Sequence, residues 1–347
     1  MSKDHILFLK EKEHSIREAL AQEQMTLAKR QNRESARLES IIGSVLLKAS
    51  SNSPGPAAML KQTLARESPV QKTDRRMIHE ANRQFIEAAS RLCYGFPGAE
   101  LAVFQGLIAA WRNTPVPISN AIFLANPITD ERDLELRSRA LAAYIRSKNR
   151  PPTFIVCRDW IPDALRAAAD DQIAAAGLVP STTITGMAAD ELVPATRRLD
   201  VSIDWRRVSD EQTRRDFADV NAAGNGLPIE FEREALGLPQ VWSNDGLAGY
   251  VGYIDDGRPI TAAAVMALNG ALHALCVATH PAHQRRGFAA RTIRYALDQM
   301  HQTTGLTRST LSATQAGLPV YLRLGYREVS TFVVYTRDVK PTSAKQD

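Results

Sequence analysis

A chain of 347 residues with 44% hydrophobic side chains is long enough to split into more than one packed unit, since a single core stops growing at about 250 residues. No segment approaches the ~18 consecutive apolar residues of a membrane span, and the polar start Met1-Ser2-Lys3-Asp4-His5 lacks a signal peptide's apolar run, so a soluble, cytoplasmic protein is expected. The net charge of +5 is confined to residues 1–76, which hold 14 Lys or Arg against 9 Asp or Glu and leave 29 of each to the rest.

Residues 3–48 contain good helix formers, no proline and apolar residues such as Ile6, Leu9, Ile16 and Leu20 at spacings too irregular for a heptad seam. Their charges alternate (Lys10, Glu11, Lys12, Glu13), the pattern of a solvated helix. That interleaving argues against a nucleic-acid partner and leaves room for a protein partner of residues 1–48. Residues 49–75 are rich in Ser, Pro and Gly and read as a linker.

From Met77 the pattern becomes globular. It predicts a helix at Asn82–Leu92, a strand or helix at Ala102–Ala110, a strand at Ala121–Leu124, a helix at Glu131–Ser147, a strand at Phe154–Cys157 and a helix at Pro162–Ala176. Beyond residue 195 an opening strand at Val201–Val208 precedes a capped helix at Asp210–Asn221 and a short helical segment at Gly226–Leu238. Strands at Leu247–Ile254, Pro259–Met266 and Ala271–Val277 are joined by Asp255-Asp256-Gly257 and Asn269-Gly270, which are hairpin signals. Cys93, Cys157 and Cys276 are far apart in apolar settings, show no metal-ligand spacing and read as reduced core residues.

The stretch Ala274 to Ala290 carries the chemistry. An apolar strand feeds the turn Gln284-Arg285-Arg286-Gly287-Phe288-Ala289, and Ile293, Ala296, Leu297 and Met300 then recur at helical spacing. Gly287 and Ala289 let backbone approach a ligand, the free N–H groups of the helix start favour phosphate, and Arg285 and Arg286 add positive charge. Downstream, Tyr321, Leu324, Gly325 and Tyr326 end a short helix that is separated from the first motif by a strand at Ser309–Ala313.

The two segments resemble motifs A and B of the GNAT superfamily of acyl-CoA N-acyltransferases. The resemblance implies acetyl-CoA as cosubstrate, held by Cys276, Val277, Gln284, Arg285, Arg286, Gly287, Phe288, Ala289 and Tyr321. It makes Tyr321 the general acid for the leaving thiolate and places an oxyanion-stabilising N–H on the strand before motif A, where Val277 is the choice. Cys276 has no partner histidine and reads as a small core residue. For the base, His273, His280, Glu230 and Glu232 stand as candidates beside direct attack with water carrying the proton. Glu230, Glu232, Trp242 and Asp245 could line a cationic-amine pocket.

Setting Gly177 against Gly325 aligns two helix ends, two glycine C-caps and two alternating strands. The chain thus resembles a tandem GNAT protein, with an unrelated α/β unit as the alternative for the first copy. In that copy the cradle position is Ala125–Asp133, which lacks glycine and adds carboxylates, and Ile173 stands at the Tyr321 position. The expected fold is α/β (α+β): a mixed, mostly antiparallel sheet flanked by helices. The expected divisions are residues 1–76 as basic helical extension, 77–195 as a degenerate, non-catalytic unit and 196–347 as the catalytic unit. The implied function is acetyl transfer to a primary amine of a small molecule or peptide. The alternative is an acyl-CoA sensor that acts through the extension.

Overall fold

The computed structural model describes residues 69–93, 96–194, 201–254 and 257–337. The helical reading of residues 3–48 and most of the linker lie outside these residues. Helix α1 (Pro69–Arg91) begins inside the stretch read as linker, with a proline in its first turn, where a missing N–H costs nothing.

Strands β1 (Glu100–Phe104), β2 (Leu107–Trp111) and β3 (Asn120–Leu124) form an antiparallel meander. The single element expected at Ala102–Ala110 is therefore a hairpin. Gln105 and Gly106 both take positive φ, 42° and 70°, and turn the chain in two residues. Helix α2 (Glu131–Arg146) then returns the chain to β4 (Thr153–Cys157), which pairs parallel to β3. Helix α3 (Arg166–Ala175) leads into the long β5 (Leu178–Ala189).

The order repeats. After β6 (Asp204–Arg207), α4 (Glu211–Asn225), α5 (Ile229–Leu236) and α6 (Pro239–Trp242) come the antiparallel strands β7 (Leu247–Ile254), β8 (Arg258–Leu268) and β9 (Ala271–Thr279). Helix α7 (Phe288–Thr304), strand β10 (Ser309–Thr314) parallel to β9, helix α8 (Leu318–Arg323) and strand β11 (Arg327–Arg337) follow. Asp210 closes a capping box with Thr213 at the start of α4.

Among the described residues the strands make one sheet of eleven, in the order β1-β2-β3-β4-β11-β5-β10-β9-β8-β7-β6. The two repeats do not end within themselves. Strand β5 leaves the first repeat to pair with β10, and β11 leaves the second to pair with β4 and β5. Gly186 makes the β5–β11 approach possible, because a Cβ there would stand 2.3 Å from Ser330 Oγ and 2.8 Å from the Phe332 ring.

Helix α1 lies across both repeats. Phe85 meets the rings of Phe123 and Phe332 edge-on, each at 5.4 Å, and Gln84 Nε2 donates to Leu268 O at 2.8 Å. Arg308 pairs with Glu80 of the same helix and with Asp190. Among the described residues no helix is long and apolar enough to cross a membrane.

Candidate functional site

Strands β9 and β10 run together only at Leu272/Ser309, His273/Thr310 and Ala274/Leu311, and beyond that they diverge. On its other side β9 loses register with β8: Ala264 pairs with Leu275 and Ala262 with Ala278, so Cys276 and Val277 stand opposite Ala263 alone. This is a β-bulge, and Cys276 carries it with a positive φ of 50°. Neither bulge residue has a partner in either register, so both face the gap. A cleft of about 890 Å³ opens there, between β9, the start of α7 and helix α8.

The wall opposite the bulge is the turn before α7. Pro281–His283 forms a single helical turn, Gln284 Nε2 donates to Thr279 O at 3.1 Å, and Arg285 and Gly287 adopt positive φ of 61° and 92°. Gly287 is the N-cap residue of α7 and no side chain caps the helix, so its first N–H groups stay available to a ligand. A φ near +90° is open to glycine and costly to other residues, which is why the turn needs Gly287. Gln284, Arg285, Gly287, Phe288 and Ala289 line the cleft, as do Arg291, Arg294 and Arg323. Arg286 does not: it is exposed, and its charge helps burial hold His283 below the usual imidazole range.

Tyr321 sits in α8, where Gly317 admits its ring: a Cβ at Gly317 would lie 3.0 Å from Tyr321 Cε2. The phenol is 8% exposed, lines the cleft and has no hydrogen-bond partner among the described residues. Burial alone raises its pKa above the ordinary tyrosine value, so the proton stays on at neutral pH. Tyr326 packs edge-on against it at 6.0 Å and satisfies its own hydroxyl with Ser309 at 2.7 Å.

The base candidates separate cleanly. His273 is buried away from the cleft, its Nδ1 is bonded to Thr310 Oγ1 at 2.9 Å, and desolvation lowers its pKa to about 4. His280 is exposed, and its Nδ1 accepts from Ala282 N at 3.3 Å, a turn-closing role. Glu230 and Asp245 are exposed. Trp242 donates its indole N–H to Leu236 O at 2.7 Å and packs on Phe217, which makes it structural. Glu232 is buried, and desolvation raises its pKa against the opposing pull of Arg112. Burial first, then Glu232, push the Cys276 thiol up to about 12, which leaves it protonated and a poor nucleophile.

The matching place in the first repeat is closed. Asp130 Oδ1 accepts from Asp133 N at 2.9 Å and caps α2 with the protein's own carboxylate. The buried Arg137 guanidinium fills the turn, donating to Gly106 O at 3.0 Å, Asn126 O at 2.9 Å and Asp133 Oδ2 at 2.7 Å. Ile173 is buried in the core of this repeat.

Sequence reasoning missed Arg291, Arg294 and Arg323 as lining residues. In the sequence Arg291 and Arg294 fall outside the apolar positions Ile293, Ala296, Leu297 and Met300, which is the available signal, but helical spacing does not say that the other face of α7 looks into a cleft.

Residues 241–328 match the family model described as acetyltransferase (GNAT) domain. None of the curated proteins compared with the chain matches it. Among solved structures, a GCN5-related N-acetyltransferase from Kribbella flavida is 18% identical with a TM-score of 0.54, over 74% of this chain and 95% of that one. One from Sphaerobacter thermophilus is 16% identical with a TM-score of 0.48, over 67% and 76%. A tandem GNAT protein from the clavulanic acid biosynthesis pathway is 14% identical with a TM-score of 0.46, over 74% and 94%. At these identities the Kribbella likeness speaks for the fold alone, while the family match speaks for the segment that builds the cleft. Residues 241–328, which carry most of the cleft lining, therefore match the acetyltransferase (GNAT) domain.

Proposed function

We propose that the protein is an acyl-CoA-dependent N-acyltransferase that moves an acetyl group from acetyl-CoA to a primary amine by direct attack within a ternary complex. The observation that carries this reading is the cleft where β9 and β10 part, with a bulged backbone on one wall and an uncapped helix start on the other. The residues present fit the cosubstrate. The N–H groups after Gly287 and the side chain of Arg285 suit a pyrophosphate, with Gln284, Phe288 and Ala289 shaping the turn. Arg286 adds long-range positive potential from outside the cleft.

On this reading Val277 N–H, freed from the ladder by the bulge, stabilises the carbonyl oxygen as it gains negative charge, and Cys276 provides the bend that frees it. The amine lone pair forms the new C–N bond, the C–S bond breaks, Tyr321 donates its proton to the departing sulfur, and the proton that the nitrogen sheds returns to the phenolate through water. The cleft isolates that phenol from any protein acceptor, which suits a proton kept for a ligand. The first repeat is a non-catalytic copy, its cradle filled by Arg137 and capped by Asp130.

A CoA-release screen across amine classes tests the proposal. Turnover with any acceptor supports it. Tight acetyl-CoA binding with no turnover across all classes would replace it with the sensor reading.

A further inference from the structure

Four of the side chains that line the cleft are arginines, and among the described residues no carboxylate lines it. Arg285 belongs to the pyrophosphate turn. The other three, Arg291 and Arg294 of α7 and Arg323 of α8, have no part in that turn. Arg291 and Arg294 follow Gly287 by four and seven residues, so they share its face of the helix, about 6 and 10 Å further along the axis. Helical side chains lean towards the N-terminus, so both reach back over the turn before them, towards the cradle.

One backbone residue joins the two helices at this place. Arg294 Nη2 donates to Val193 O at 2.5 Å, and Val193 N donates to Leu324 O at 3.0 Å, next to Arg323. Val193 fits there because residue 325 is glycine: a Cβ on it would stand 2.9 Å from Val193 Cγ1. Pro194, the next residue, lines the cleft too.

The acids nearby do not neutralise this wall. Asp190 pairs with Arg308 and Arg327, and Asp298, one turn beyond Arg294, is exposed and forms no ion pair among the described residues. Arg291 and Arg323 have neither a hydrogen bond nor an ion pair among the described residues, and Arg291 Nε is buried with no acceptor. A buried N–H in that state costs free energy that a ligand oxygen recovers, and clustered guanidinium groups repel one another until an anion arrives. A pyrophosphate at the helix start leaves that demand unmet one to two turns on. A phosphomonoester meets it, with close to two negative charges at neutral pH and three acceptor oxygens.

We infer that Arg291, Arg294 and Arg323 form a phosphomonoester subsite, and that its occupant is the 3′-phosphate on the ribose of the cosubstrate, one sugar away from the pyrophosphate. The inference rests on the acyl-CoA reading and deepens it. The protein grips its donor at a third point, beyond the thioester and the pyrophosphate, and so selects acetyl-CoA over the same thioester without the 3′-phosphate. The three arginines touch no reacting atom; they are specificity residues. Val193 and Pro194, which follow the last strand of the first repeat, give that repeat's end a place on the rim of the donor site.

The test is calorimetric binding to the full chain, with acetyl-CoA against dephospho-acetyl-CoA and adenosine 3′,5′-bisphosphate against adenosine 5′-monophosphate. The first member of each pair should bind more tightly, by roughly 30-fold, the effect of one or two charge-assisted hydrogen bonds, and the gap should narrow as salt is raised. Arg294 also holds Val193, so the two arginines without a protein partner are the cleaner probes. Arg291→Gln and Arg323→Gln should each weaken acetyl-CoA at least fivefold while dephospho-acetyl-CoA stays within twofold, and the double variant should bind the two thioesters alike.

Circular dichroism and the dephospho-acetyl-CoA affinity report folding of each variant. Should a variant fail to fold, the wild-type preference in the two ligand pairs decides. Equal wild-type affinity for the two thioesters, or a preference that survives in the double variant, would overturn the subsite and leave the acyltransferase reading standing. A preference for acetyl-CoA with no CoA release on any amine would uphold the subsite and sink the acyltransferase reading alone. Failure to bind either thioester would overturn both.

Discussion

Replacing Tyr321 with phenylalanine isolates one atom. The ring keeps its place against Tyr326 and under Gly317, and the lost hydroxyl has no hydrogen-bond partner among the described residues. Removing a buried hydroxyl that bonds nothing leaves no orphaned partner behind, so stability should change by less than about 1 kcal/mol. The chemical effect should be far larger. A proton donor within reach of a leaving group is worth about 10² in rate at the low end, which at 1.36 kcal/mol per tenfold is about 2.7 kcal/mol of transition-state stabilisation. Because sulfur gains charge only as the C–S bond breaks, kcat and kcat/KM should fall together while acetyl-CoA affinity holds. Single-turnover CoA release with an accepted amine, followed by thiol titration, measures this without interference from product release. Wild-type rates in a variant with a native circular dichroism spectrum would remove Tyr321 from the chemistry and leave water as the proton source.

Three further outcomes are expected. Gly287→Glu puts a side chain and a negative charge where φ is 92° and the helix start is uncapped, so acetyl-CoA affinity should drop at least tenfold, about 1.4 kcal/mol; calorimetry reads it, and Asp130→Gly should leave the stoichiometry at one per chain. His273 is neutral when folded, with a pKa lowered to about 4 from 6.5, so the unfolded chain binds the extra proton first and stability falls as pH drops from about 6.5 towards 4, by up to about 3 kcal/mol; urea melts across that range should show a flatter acid limb in His273→Gln than in wild type, and parallel limbs would show that the ring is not desolvated. A chain beginning at Pro69, which keeps all of α1, should fold and bind acetyl-CoA with unchanged affinity; loss of binding would give residues 1–68 a part in the cleft.

The cleft-forming segment was readable because its signals are local. Gly287 needs its positive φ whatever packs around it, Asp210 and Thr213 lie within one turn, and Asn269-Gly270 make a tight turn with φ of 46° and 80° on their own account. Other features depend on partners far away in sequence. The Gln105-Gly106 hairpin hid inside an apolar run, and the reason no larger residue fits at Gly106 is the Arg137 guanidinium, 2.6 Å from where a Cβ would sit. His273 could not be oriented from strand alternation, because Thr310, its partner, enters from a parallel strand beyond α7. Arg112 gives no signal as a lone arginine after a strand, because the Phe96 ring under its guanidinium, at 4.8 Å, is brought there by tertiary packing. The sharing of one sheet was equally hidden: alternation in β5 and β11 tells which faces are buried and nothing about which neighbours they choose.

That sharing bears on how the chain reaches its native state. Strand β11 is the last described element to leave the ribosome, yet it fills the middle of the sheet, with Phe332 opposite Cys157 and Ile184. Until it emerges, β4 and β5 each present an open edge to solvent. The amino-terminal repeat therefore cannot close its sheet while the rest is being made, and folding by successive domains, the usual course for chains of this length, is not open to it. Contacts this distant in sequence also favour slow folding, because loop closure has to precede the pairing that rewards it. During synthesis the facing edges of β4 and β5 therefore stay open until β11 arrives, an interval in which an unpaired edge can pair wrongly.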